Sequence, residues 1–234
     1  MRALIVGGSG GIGRSLVDRL SKRDDITEVM GTWYRHPPEP LKKVRWFPLD
    51  ATSGENVEQL AAETGDLDLL INCIGLLHRE DKGPEKTIVH ADAEFFLDNI
   101  RVNTLPTLLL AKHFMKLLKK SERPVFAAVS ARVGSIEENR LGGWYSYRAS
   151  KAALNMVLKT LAVEWRVKVP NGCVAALHPG TSDTRLSKPF QRNVPPEKLF
   201  STDRTAGQLL SVIDKLTPEK TGRFWSWDGT ELPW

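Results

Sequence analysis

The chain predicts an α/β fold, a doubly wound parallel sheet of about seven strands with helices on both faces. Three observations carry the prediction. Apolar runs of strand length alternate with stretches of helical period from one end of the sequence to the other. The first run, Ala3-Leu4-Ile5-Val6, is apolar without interruption, as in a strand covered on both faces. A glycine-rich turn from Gly7 to Gly13 joins that run to the helical period of Arg14 to Leu20. With 234 residues, no internal repeat and no break in composition, a single domain spanning 1–234 is expected.

Composition narrows the function classes. Hydrophobic residues at 41% and charged residues at 26% are the balance of an ordinary globular chain. The formal charge of +5 is scattered: Lys22-Arg23 runs into Asp24-Asp25, and Lys119-Lys120 is followed by Glu122. Without a basic run interleaved with aromatics, no nucleic-acid partner is expected. No apolar stretch reaches the length of a membrane span, and the amino terminus enters a strand without a signal-peptide pattern, so a cytoplasmic protein with no membrane partner is expected. Cys73 and Cys173 lie in separate apolar runs without CxxC spacing, which predicts small core residues and no metal site or disulfide.

Two spacings can be read in the glycine turn. Gly8, Gly10 and Gly13 fit GxGxxG; Gly7, Gly11 and Gly13 fit GxxxGxG, with Ser9 and Ile12 among the intervening residues. Either way, strand, turn and helix bring backbone amides and a helix amino terminus against a pyrophosphate, as in a Rossmann-type site. The second strand, about Glu28 to Tyr34, ends in Thr32-Trp33-Tyr34-Arg35-His36. No acid stands there to hold a ribose 2′-hydroxyl, whereas Arg35 offers a fork suited to a 2′-phosphate, which favours NADP(H) over NAD.

The third strand, Val44 to Leu49, closes on Asp50, whose carboxylate suits an adenine amino group; helical period follows from Glu55 to Glu63. Asp68 to Gly75 reads as a fourth strand ending in a turn, and 76–92 as a long mixed segment in which His78 is a possible substrate contact. From Ala93 to about Lys119 the apolar repeat suits one long helix. Pro106 should kink it or end its regular hydrogen bonding, and Asn103, a poor helix former, hints at a specific task. A fifth strand runs from Pro124 to Val129 and ends at Ser130. A helix follows to about Val167, then a sixth strand from Cys173 to Leu177, the run His178 to Thr184, a loop-like segment over 185–200, a helix from Thr202 to Leu216 and a final strand from Gly222 to Trp225.

Tyr147 and Lys151 stand four residues apart near the start of the fifth-strand helix, one above the other on the same face. A cation beside a phenol favours the phenolate and should lower the tyrosine from its reference pKa of about 10 toward working pH. Such a phenol can give a proton to, or take one from, an alcohol or carbonyl oxygen.

With these residues in order, the chain resembles the short-chain dehydrogenase/reductase family over nearly its whole length, and within it the C-factor and sniffer-like carbonyl reductases. The landmarks are Gly7, Gly11 and Gly13; Asp50; Asn72-Cys73-Ile74-Gly75 where NNAG is common; Asn103; the YxxxK pair Tyr147 and Lys151; and the PGxxxT run from Pro179 to Thr184. The resemblance implies that Tyr147 is the general acid of reduction and that Lys151 lowers its pKa and holds the nicotinamide ribose. It implies a water held near Asn103 in a proton relay. Cofactor contacts would come from the glycine turn, Asn72 and Gly75, and from Pro179, Gly180, Thr181 and Thr184, whose loop would dock the nicotinamide carboxamide. A homodimer or homotetramer through the helical surfaces 105–117 and 152–163 is likewise implied.

The chain departs from the family pattern at two places. Val6 stands where a Thr usually heads the glycine turn. In Val129-Ser130-Ala131-Arg132-Val133-Gly134, Ser130 aligns with the first serine of Ser-Ser-x-x-Gly, and Ala131 replaces the second, which polarises the substrate oxygen. Ser130 is the leading replacement and Ser135 another candidate; loss of one such donor costs on the order of a hundredfold in rate. The leading expectation is therefore an NADPH-dependent carbonyl reductase acting on a small molecule, its pocket walled by Leu76, Leu77, Val133, Trp144, Leu186 and Phe190. The alternative is an NADP(H)-binding sensor with little turnover, which Ala131 favours.

Overall fold

The computed structural model describes residues 1–234. In chain order the strands are β1 (Arg2–Val6), β2 (Glu28–Trp33), β3 (Val44–Pro48), β4 (Leu69–Asn72), β5 (Val125–Val129), β6 (Cys173–His178), β7 (Thr181–Ser182), β8 (Leu199–Phe200), β9 (Arg223–Ser226) and β10 (Glu231–Leu232). The helices are α1 (Gly11–Leu20), α2 (Gly54–Thr64), α3 (Ala93–Asn103), α4 (Leu105–Leu118), α5 (Tyr145–Lys168) and α6 (Thr202–Ile213).

The main sheet has the order β3-β2-β1-β4-β5-β6-β9-β10, parallel except for β10. It has eight strands rather than about seven. The extra one, β10, returns beside β9 through the tight turn at Asp228-Gly229 and pairs over only two residues, too few to carry a sequence period. A separate parallel pair, β7 with β8, ties the residues just before the segment expected to be loop-like to its end. Between them that segment forms 3-10 turns over Lys188–Asn193 and Pro196–Lys198.

Side chains alternate across the sheet and build two cores. Leu4, Leu70, Phe126 and Val174 face α2, α4 and α5; Ile5, Ile71, Ala127 and Ala175 face α1 and α6. Helices cover both faces, so the central strands are apolar throughout, which is why they could be read without alternation.

The predicted long helix over 93–119 is two helices, with Thr104 between them. Pro106 has no amide for the Val102 carbonyl, and Thr107 directs its amide to Thr104 O, three residues back, at 3.1 Å. The ladder is thus interrupted at Asn103, the last residue of α3.

The strand order reverses between β1 and β4, where Val6 pairs with Asn72. The turns after these two strands therefore lie side by side, and a Cβ on Gly7 would stand 3.2 Å from Ile74 Cγ1. This is the crevice where open parallel sheets place their ligands.

Candidate active site at the sheet switch point

The glycine turn is built as GxxxGxG. Gly7 and Gly11 adopt φ of +76° and +48°. A Cβ on Gly13 would run into the Gly7 carbonyl oxygen, with Gly7 C at 2.9 Å and Gly8 Cα at 3.1 Å. By contrast Gly10 is extended at φ −138°, and a Cβ there would meet nothing within 4 Å. Gly13 thus lets α1 press against the turn. The amino terminus of α1 has no side-chain cap and no acid in its first turn, and Gly10 and Gly11 are exposed. Its free amides, together with the helix dipole, suit an anionic group. Thr32 fixes the turn from β2: its hydroxyl accepts from Gly7 N at 2.9 Å and its carbonyl from Ser9 N at 3.2 Å. That role falls to a residue the sequence reading placed only as strand end.

The other predicted cofactor residues arrive from separate elements. Thr184 Cγ2 would lie 3.3 Å from a Cβ on Gly11, so the run after β6 returns to the glycine turn. In that run Gly180 sits at φ +70°. Arg35 is exposed beyond β2 and pairs with no carboxylate. Asp50 accepts from Thr52 N at 2.9 Å and Thr52 Oγ1 at 2.7 Å, both through Oδ1. Asn72 is buried and braces the fold: it donates to Thr107 Oγ1 at 2.9 Å and accepts from Ile74 N at 3.0 Å. It shapes the turn rather than presenting free polar atoms.

The YxxxK pair stands beside this crevice. A Cβ on Gly75 would lie 3.7 Å from Asn103 Oδ1 and 3.8 Å from Lys151 Nζ, so the ends of β4, α3 and the first turns of α5 converge. Gly134 lets α5 approach β5, since a Cβ there would stand 2.8 Å from Lys151 backbone carbon. Lys151 is 2% exposed, and its ammonium donates to Val129 O at 3.0 Å and lies 5.9 Å from the Tyr147 ring centre. No carboxylate pairs with it. Burial pushes it down to about 8, opposed by the nearby Cys73 thiol.

The tyrosine differs from expectation. Tyr147 is 6% exposed, and burial raises its pKa above the ordinary phenol value instead of the cation lowering it. Both groups are desolvated, and desolvation disfavours charge on each. Cys73 is half-buried in the turn after β4 rather than within a strand; burial pushes its thiol up to about 12, with Lys151 opposing. Cys173 is buried in β6 as expected.

Asn103 is wholly engaged. Its Oδ1 accepts from Leu76 N at 2.6 Å, and its Nδ2 reaches Leu76 O at 2.9 Å, Ser150 Oγ at 2.8 Å and Asn99 Oδ1 at 3.2 Å. Ser150 in turn donates to Tyr147 O at 2.8 Å. The side chain therefore pins the turn after Gly75 to α5, and no hydrogen of its amide is left over for a water.

Neither serine candidate is free. Ser130 is 2% exposed and donates to Asn155 Oδ1 at 2.6 Å, on the α5 face that carries Tyr147 and Lys151. Ser135 donates to Trp234 O at 3.2 Å and accepts from Glu138 N at 3.2 Å, so its hydroxyl is committed to other partners. Asn155 was not picked out from the sequence, although the spacing 147, 151, 155 was there to find it.

An aromatic cluster meets Tyr147, with Trp144 from the start of α5 and His78 and Phe190 from the two long segments. Trp144 meets Tyr147 edge-on at 6.2 Å and Phe190 at 5.2 Å, while His78 meets Phe190 at 5.8 Å and lies 3.3 Å from Arg185 O. The expected walls Trp144 and Phe190 are thus brought together, and Leu77 is buried.

A doubly wound sheet with an uncapped glycine turn at its switch point and a buried Tyr–Lys pair beside it defines an oxidoreductase domain. The chain belongs to the short-chain dehydrogenase family, whose model, described as short chain dehydrogenase, matches residues 1–195. It is 36% identical over 237 residues to the 1-hydroxy-2-glutathionyl-2-methyl-3-butene dehydrogenase of Rhodococcus sp. (strain AD45), covering 99% of this chain and 98% of that one. It is 34% identical over 172 residues to the C-signal of Myxococcus xanthus, covering 73% of this chain and 95% of that protein. Among solved structures, the carbonyl reductase Sniffer of D. melanogaster superposes with a TM-score of 0.84 at 25% identity, covering 100% and 99% of the two chains. The NADPH-bound carbonyl reductase from chicken fatty liver gives 0.87 at 24% identity, covering 100% and 94%. No helix is long and apolar enough to cross a membrane.

Proposed function

We propose that the protein is an NADP(H)-dependent oxidoreductase that interconverts a carbonyl and an alcohol, with Tyr147 as the proton-transferring group. One observation supports this above the others: a buried ammonium, Lys151, with a single acceptor at Val129 O and no carboxylate. An unpaired buried cation is costly unless other groups complete its shell. Two of its three hydrogens remain for ribose hydroxyls beside Tyr147.

The residues present fit a dinucleotide. The amides at the start of α1 would hold the pyrophosphate, Asp50 the adenine and Arg35 a 2′-phosphate, while Pro179, Gly180, Thr181 and Thr184 would meet the nicotinamide end. The bound nicotinamide supplies the hydride. Tyr147 gives its proton to the carbonyl oxygen during reduction, a step that its raised pKa keeps supplied with the protonated form. Occupation of the ribose site completes the shell of Lys151 and favours its charged state. The charge then stabilises the phenolate left behind until a proton from solvent restores it. His78, Trp144 and Phe190 exclude bulk water above the reacting atoms. Names of the relatives agree in kind: one is a dehydrogenase of a hydroxylated compound and others are carbonyl reductases, two directions of one interconversion.

Exposed Leu108 on α4 with Met156, Val163 and Val167 on α5 supports a homo-oligomer through these helices. A second reading, a cofactor-binding sensor with little turnover, is favoured by Ala131 and by the commitment of Ser130 to Asn155. NADPH oxidation against a panel of aldehydes, ketones and quinones separates the two, with Tyr147→Phe in parallel. Turnover that falls by about 10²-fold or more in Tyr147→Phe with cofactor affinity retained supports the enzyme; tight NADPH binding without turnover across the panel supports the sensor.

A further inference from the structure

Glu85 lies in the 76–92 segment, among charged residues that the sequence gives no reason to separate. Unlike them it is 4% exposed, and no basic side chain pairs with it. All its hydrogen bonds go to the start of α5. Its Oε2 accepts from Ser146 N at 3.1 Å, its Oε1 accepts from the Ser146 hydroxyl, and its main-chain oxygen accepts from Trp144 N at 2.5 Å.

The helix it meets lacks a cap of its own. Trp144 occupies the N-cap position in the left-handed region at φ +55° and offers no side-chain acceptor. The helical ladder begins only with Arg148 N bonding to Trp144 O at 2.8 Å. Tyr145, Ser146 and Tyr147 are the first three residues of the helix, and their amides have no partner within it. Tyr147 therefore stands in the turn most prone to fray. A capping residue normally accepts from the second or third amide of its helix, and here the second is taken by a carboxylate from 61 residues away. A carboxylate at that end also faces the positive pole of a 24-residue helix.

We propose that Glu85 is a positioning residue for Tyr147. It caps the catalytic helix from the 76–92 segment, so that the turn holding the phenol is ordered only while that segment is docked. The same segment carries His78 against Phe190, so one carboxylate holds the proton donor and part of the pocket roof in a common frame. This inference rests on the reductase reading for its kinetic consequence but not for its structural one.

The experiment uses the full-length protein with NADPH bound and compares Glu85→Ala, Glu85→Gln and Ile213→Val, the last a core change on α6 remote from the site. Amide hydrogen exchange at Ser146 and Tyr147 should quicken at least tenfold in Glu85→Ala and return most of the way in Glu85→Gln, which keeps an acceptor for the Ser146 amide. Exchange within α6 should stay unchanged in both. With a turned-over carbonyl, kcat should fall at least tenfold in Glu85→Ala while NADPH affinity stays within twofold, and Ile213→Val should keep wild-type kcat. Unchanged exchange at Ser146 and Tyr147 in Glu85→Ala overturns the cap. Faster exchange with an unchanged kcat overturns the positioning role. If the wild type turns over no carbonyl, the reductase reading falls and the exchange result still decides the cap.

Discussion

Replacing Gly13 and Gly10 by alanine, one at a time, compares a glycine that both spacings share with one that only GxGxxG requires. At Gly13 the new methyl would occupy the space of the Gly7 carbonyl oxygen, with Gly7 C at 2.9 Å and Gly8 Cα at 3.1 Å. Every atom in its way is backbone, so no side chain can swing aside. Overpacking typically costs about 1–3 kcal/mol, and a clash with backbone alone belongs at the upper end, about 3 kcal/mol. For a chain of this length that corresponds to a fall in Tm of roughly 6–12 °C. Because relief requires α1 to move off the turn, the amides proposed to hold the pyrophosphate move too, and NADPH affinity should fall at least about tenfold. At Gly10 the methyl meets nothing within 4 Å and φ is −138°. The entropic gain of about 0.4–1 kcal/mol is then largely offset by the poorer N-cap, since alanine is worse there than glycine by roughly 0.5–1 kcal/mol. Gly10→Ala should leave Tm within about 2 °C of wild type. Thermal unfolding and NADPH titration of both variants measure this. Equal losses, or a larger loss in Gly10→Ala, would refute the close approach of α1 as the reason for Gly13.

Further outcomes can be set beside this one. Lys151 has a folded pKa of about 8 against 10.5 for the free side chain, so between these values the unfolded chain binds more protons and stability rises with pH. The rise shows as a wild-type minus Lys151→Met difference in unfolding free energy that climbs between pH 8 and 10, by about 3 kcal/mol at most; a flat difference would mean that the ammonium is not desolvated. Measuring it against Lys151→Met removes the opposite trend of Cys73 and Cys173, whose raised pKa values make stability fall as pH passes 9. Arg35→Ala should weaken NADPH at least about tenfold and leave NADH unaffected, the loss of a charge-assisted fork to phosphate; unchanged NADPH binding would remove Arg35 from the site. For the proposed homo-oligomer through α4 and α5, Leu108→Glu combined with Met156→Glu should lower the sedimenting mass toward that of one chain, and an unaltered mass would refute that contact.

How far the sequence reached depends on the range of the interaction that fixes each feature. Tyr147 and Lys151 were legible because helical spacing alone stacks them, and the strands leading to Gly7, Gly75 and Ser130 because continuous apolar runs mark buried parallel strands. Pro106 announced its own interruption of the helix. Ser130 shows where this legibility stops: alternation along β5 puts it on the face of Phe126 and Ala128, but its partner Asn155 comes from a helix packed across that face. Glu85 was invisible, since nothing periodic distinguishes it from Glu80 or Asp81.

The sequence by itself determined the parallel sheet, the glycine turn and the Tyr–Lys pair, because each follows from backbone period or from neighbours within one turn of helix. Only the tertiary structure decided which glycines the turn requires, which hydroxyl is committed to which partner, and the direction in which burial shifts the titration of the pair. Those depend on close approach and loss of solvent, both created when distant segments pack together. The same four-residue spacing that suggested a lowered tyrosine pKa is overruled by burial, a property that no local pattern contains.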